Sequence, residues 1–137
     1  ALEGAGIKLP RSLIADGNYT FETGLAAADR LLDLSPRPTA LFASHDEMAA
    51  ATLHAARRRG MSVPEDLSIV GFDDTAIASH IWPPLTTVHW PIISMARSAA
   101  LKLLAEFFGD DGNAVEEPSL FPSTLIHRAS VAPPREG

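Results

Sequence analysis

The chain has 137 residues, 46% of them apolar and 20% charged, with a formal net charge of -6 and no cysteine. That length and apolar content suit one domain with a real core, and disorder is excluded for most of it. The acidic balance argues against phosphate contacts, which need clustered Lys and Arg; zero cysteines exclude disulfides, thiolate metal sites and thiol redox chemistry, and no apolar run approaches the roughly 20 residues that span a bilayer.

Residues 1–10 hold Gly4, Gly6 and Pro10 and read as the end of a helix followed by a turn; with no initiator Met, the beginning of that helix is expected to lie outside the sequence. Ser12-Leu13-Ile14-Ala15 is β-prone. Asp16-Gly17-Asn18 is a turn, Thr20 an N-cap, and residues 22–32 a helix with Leu25, Ala28, Leu31 and Leu32 on one face. After Ser35-Pro36-Arg37-Pro38, the apolar run 39–43 predicts a strand covered on both faces. Asp46 sits where an N-cap or first-turn acid belongs, residues 48–59 form the next helix, and Gly60 supplies its left-handed stop.

Residues 67–72 predict a second buried strand and residues 85–89 a further one. Pro91 opens a long helix to about Phe108, with Ile92, Met95, Ala96, Ala99, Leu103 and Phe107 as its apolar stripe. Asp110-Asp111-Gly112-Asn113 is a turn, residues 120–126 a last strand, and residues 132–137 a tail without a core-forming pattern. Strands alternating with helices predict an α/β fold, an open, mostly parallel sheet with helices on both faces. In such sheets small ligands bind at the carboxyl ends of the strands.

Asp73 and Asp74 leave the strand 67–72 at that end, and successive residues point different ways, so one of them faces a cleft. A carboxylate there suits paired hydroxyls of a sugar or ring N–H groups, each charge-assisted bond contributing about 1.5–3 kcal/mol. The alternative is that both acids cap the following turn. Ser44-His45-Asp46 ends the neighbouring strand, which puts His45 at the same edge; a surface His without a partner is the competing reading. Trp90 and Tyr19 follow β-prone segments, where an aromatic face either stacks on a ligand or fills space.

Arg57-Arg58-Arg59 near a helix C-terminus reads as complementing the helix dipole while staying solvated. The histidines show no metal spacing, and no nucleophile elbow, phosphate loop or dinucleotide fingerprint is present. Ile77, Ile81 and Trp82, before Pro83-Pro84, are more apolar than a solvated loop requires, a hint of a partner surface.

Four ordered motifs, Thr39-Ala-Leu-Phe-Ala-Ser-His-Asp-Glu-Met-Ala, Val63-Pro-Glu-Asp-Leu-Ser-Ile-Val-Gly-Phe-Asp-Asp, Pro83-Pro-Leu-Thr-Thr-Val and Leu125-Ile-His-Arg-Ala-Ser, resemble the lactose/galactose repressor family of bacterial transcription regulators. The resemblance covers nearly the whole chain but only the C-terminal half of that family's effector-binding core, a periplasmic-binding-protein-like fold. It implies a subdomain over 1–126, a tail over 127–137 crossing toward a second subdomain, and a DNA-binding headpiece outside the sequence. It implies a cytoplasmic homodimer, no cofactor, and a small effector, a sugar or a nucleoside-like molecule, bound between two subdomains. Operator DNA is met only through the headpiece.

By resemblance, Asp73 bonds the effector, Tyr19, His45 and Trp90 line the pocket, and Asp74 is structural. The family usually carries Asn where His45 stands, which leaves the effector's identity open. Ala50, Leu53, His54, Ile77, His80 and Ile81 match the dimer surface. A periplasmic sugar-binding protein of a transporter and a small α/β enzyme are the rivals. An upstream signal peptide rather than a helix-turn-helix would mark the first, and turnover of a bound metabolite the second.

Overall fold

The computed structural model describes residues 2–108 and 120–133, so the turn expected at Asp110-Asp111-Gly112-Asn113 and the tail end 134–137 lie outside the described residues. Helices and strands follow in the expected order, with a short helix added where a loop was expected before Pro83: α1 (Phe21–Leu32), β1 (Ala40–Phe42), α2 (Asp46–Arg58), β2 (Ser68–Val70), α3 (Ala76–His80), β3 (Thr87–His89), α4 (Ile92–Phe108) and β4 (Thr124–Ile126). Thr20 caps α1, its hydroxyl accepting from the Thr23 N–H at 3.3 Å. The β-prone reading of residues 12–15 fails: Arg11–Leu13 is a 3-10 turn, and the Ile14 carbonyl accepts from the Arg30 guanidinium instead of a strand.

β1 and β2 pair in parallel, Leu41 opposite Ile69. β3 runs along the other edge of β2 through a parallel bridge between Val70 and Thr86, and β4 closes antiparallel on β3. The open, mostly parallel sheet is therefore present.

Its two faces differ. On the face of Leu41 and Ile69, α1 and α2 supply Ala28, Leu32, Met48, Ala49, Leu53 and Ala56 to the core. The helices touch closely because residue 24 is glycine: a Cβ there would stand 2.8 Å from the Met48 Cα. The opposite face corrects the expectation that β1 is covered on both sides, since Phe42 is 65% exposed. A groove of about 720 Å³ lies there, lined by Leu9, Leu13, Ile14, Phe42, Val70 and Val131 among others. The stripe of α4 is likewise uncovered at Ile92, Leu103 and Phe107. Periodicity identifies an apolar stripe but not the surface that covers it.

Ser130 and Ala132, at the start of the expected crossing tail, hydrogen-bond to β2. The Ile69 N–H donates to the Ser130 carbonyl at 2.8 Å, the Ser130 hydroxyl to the Ile69 carbonyl at 2.6 Å, and the Thr86 N–H to that hydroxyl at 2.8 Å. Ser68 and Ala132 exchange two further bonds. Among the described residues no helix is long and apolar enough to cross a membrane.

Candidate functional site

β1 and β2 run parallel, so their carboxyl ends share one edge, and the four candidate ligand contacts converge there. His45 itself caps α2: its Nδ1 accepts from the Glu47 N–H at 3.3 Å. With Nδ1 an acceptor, the ring proton sits on Nε2, 3.3 Å from Asp73 Oδ2. The other oxygen of Asp73 accepts from the Trp90 indole N–H at 2.9 Å. Tyr19 meets His45 edge-on with ring centroids 5.9 Å apart, and Phe72 packs against Trp90 at 6.2 Å. Tyr19, His45, Asp73 and Trp90 thus form one continuous arc.

The backbone of this arc is unusual. Tyr19, Asp73 and Asp74 have φ of 58°, 101° and 54°. Residues held in that region cost on the order of 1–3 kcal/mol each and persist only where neighbours fix them. Two anchors are visible. The Asp73 N–H donates to the Val88 carbonyl at 2.9 Å. Beyond the acids, Asp46 Oδ2 accepts from the Thr75 N–H at 2.7 Å and its hydroxyl at 3.0 Å, while Oδ1 accepts from the Thr87 hydroxyl at 2.6 Å. Asp46 is wholly buried. Asp46 is the expected first-turn acid of α2, and it also ties the start of that helix to the loop after β2 and to β3. Gly71 makes room for it, since a Cβ there would lie 2.3 Å from Asp46 Oδ1 and 2.7 Å from a Leu85 methyl.

Asp74 points away from the arc. Its Oδ1 takes the Arg128 guanidinium at 2.6 Å and its Oδ2 lies 3.3 Å from His89 Nδ1. Sequence reasoning treated Arg128 only as part of a motif and missed this pairing; no spacing signal could have shown it, because Arg128 and Asp74 are far apart in the chain.

Of the six candidate dimer residues, Ala50 and Leu53 are buried in this chain, 6% and 5% exposed. His54 and His80 are exposed, and Ile77 and Ile81 half-buried. The arginines are not merely solvated. Arg57 donates to the Trp82 carbonyl, and Arg59 binds Asp29 at 2.5 Å and Asp33 at 2.7 Å. Its hydrogen bond holds the Asp29 carboxyl below the usual carboxylate range. Among the described residues no group of three or more His, Asp or Glu is placed to hold a metal.

Chemically, each oxygen of Asp73 carries one donor from the protein and keeps capacity for another. Beside His45 stands the exposed ring of Tyr19. The arrangement suits a polar ligand with several O–H or N–H donors.

A profile described as a periplasmic binding protein-like domain matches residues 1–131. The HTH-type transcriptional regulator DegA of Bacillus subtilis is 48% identical over 133 residues, 97% of this chain and 39% of that protein. The HTH-type transcriptional repressor CytR of Escherichia coli is 45% identical over 109 residues, 80% of this chain and 32% of that one. Among solved structures, a transcriptional regulator CelR-cellobiose complex superposes with a TM-score of 0.83 at 36% identity, covering 94% of this chain and 39% of that chain. The chain thus spans about a third of the length of the curated relatives it matches.

Proposed function

The chain belongs to the periplasmic binding protein-like domain family, in the form carried by regulators of the lactose/galactose repressor type, and on that premise we propose that it is one wall of an effector cleft. In this reading Asp73, His45, Tyr19 and Trp90 bind a sugar or nucleoside-like metabolite against a second subdomain of a longer protein. Residues 1–126 form the C-terminal subdomain, 127–137 cross toward the other one, and a separate headpiece meets operator DNA. The protein acts as a cytoplasmic homodimer, with His54, Ile77, His80 and Ile81 the part of the candidate surface open to a partner. The chain binds and does not catalyse; its relatives carry the names of regulators.

The single observation that carries the reading is the convergence of two ring N–H groups, of His45 and Trp90, on one carboxylate at a strand end, with the Tyr19 ring packed edge-on against His45. The cellobiose held by the similar CelR regulator supports the ligand class. Effector binding favours one arrangement of the subdomains, and a coupling of about 1–3 kcal/mol changes operator affinity about 5–150-fold.

The test is a thermal-shift screen of the longer protein against mono- and disaccharides and nucleosides. At least one should raise the melting temperature, and that compound should alter operator affinity. A protein stabilised by none of these compounds contradicts the ligand class; one that consumes its ligand contradicts a pure binding role.

A further inference from the structure

Asp73 can serve a ligand only if its carboxylate is aimed, and the backbone that carries it is at positive φ at both acids. The Asp73 N–H is anchored on Val88 and the Thr75 N–H on Asp46. Between these anchors the acids' shared peptide has one weak bond of its own, from the Asp74 N–H to the Thr87 hydroxyl at 3.4 Å. The stronger hold comes from the Asp74 side chain, through Arg128 at 2.6 Å.

Arg128 is itself fixed on both sides. Its Nη1 donates to the Leu85 carbonyl at 2.8 Å and its backbone N–H to the Thr86 hydroxyl at 2.9 Å. A planar fork can bind a carbonyl with one nitrogen and a carboxylate with the other, which the single ammonium of lysine cannot reproduce.

We propose that Arg128 is a positioning residue for Asp73: by clamping Asp74 it sets the peptide between the acids, and so the aim of the Asp73 carboxylate toward His45, Trp90 and the effector. Arg128 also heads the segment 128–132 bonded to β2, so the same ion pair couples the effector acid to the C-terminal segment. The functional half rests on the reading of Asp73 as the effector-binding acid.

The Trp90 indole N–H, hydrogen-bonded to Asp73 Oδ1, reports that aim without any ligand. In nitrogen-15 spectra of the 137-residue chain there are two tryptophan indole signals, assigned with Trp82→Phe, a residue 74% exposed. Asp73→Asn should displace the Trp90 signal. Arg128→Lys and Asp74→Asn should displace it in the same direction, leaving Trp82 in place. Ser130→Ala, which loosens the same segment at Ile69 and Thr86 without touching Asp74, should lower the melting temperature and leave Trp90 where it was.

An unmoved Trp90 signal in Asp74→Asn, which keeps the side-chain volume and carries the test should the lysine variant not fold, overturns the proposal. So does a Ser130→Ala variant that moves it equally. If Trp90 moves as expected while Asp73→Asn retains its effector response in the longer protein, the positioning stands and the effector reading falls.

Discussion

The strand-end edge of the sheet and its open apolar face are held together by opposite means. At the edge, Asp46, Asp73 and Asp74 bind donors from His45 before α2, from the loop after β2, from β3, from Trp90 beyond it and from the segment at Arg128. On the open face, Phe42 and the stripe of α4 keep apolar area in water. Hydrogen bonds and ion pairs are directional, so a few side chains from distant segments fix one geometry. Apolar stabilisation scales with the area removed from water and needs a covering surface. The edge is therefore the ordered, breakable part of this molecule, and substitutions on the open face should hardly register.

The largest effect should follow Asp46→Ala. Removing a wholly buried acceptor strands the Thr75 N–H and two hydroxyls, each unmet group costing about 1–3 kcal/mol, so chemical denaturation should show a loss of about 3–5 kcal/mol. A loss under about 1 kcal/mol would mean that the edge does not depend on this carboxylate. Next comes Gly71→Ala, whose methyl collides with Asp46 and Leu85 and should cost about 1–3 kcal/mol. In contrast, Phe42→Ser should change the stability of the 137-residue chain by no more than about 0.5 kcal/mol. A large loss there would erase the distinction between the two regions.

The smallest effect concerns Asp29 and tests ion pairing away from the edge. Because the hydrogen bond from Arg59 lowers its pKa in the folded state, the contribution is complete above the unfolded value of about 3.9 and is lost as the pH falls through the folded value. Asp29→Asn should therefore lower the melting temperature slightly at neutral pH, with the difference vanishing in strong acid. A difference that persists in acid would assign the loss to packing.

The legible part of this chain was what repeats or punctuates locally. Alternating strand and helix patterns, the Thr20 cap and the left-handed Gly60 stop were readable, and so was the edge that His45 and Asp73 share; Tyr19 and Trp90 were joined to it only by the family resemblance. What local pattern cannot carry is the identity of distant partners. Asp46 reads correctly as an N-cap or first-turn acid, but its hydrogen-bond partners, Thr75 in the loop before α3 and Thr87 on β3, are beyond any local pattern. Ala50 and Leu53 were named for a partner surface through the family resemblance alone, and local pattern does not show that both are buried in this chain. Phe42 shows the converse: an apolar run implies cover, but one face of β1 stays open.

The most direct test of the central claim is a calorimetric titration of the longer protein and its Asp73→Asn variant with the compound selected by the thermal-shift screen. Loss of charge-assisted bonds worth about 1.5–3 kcal/mol predicts affinity about tenfold to a hundredfold weaker, with operator affinity of the effector-free protein unchanged. An Asp73→Asn variant that binds the compound as tightly as the parent would contradict the account.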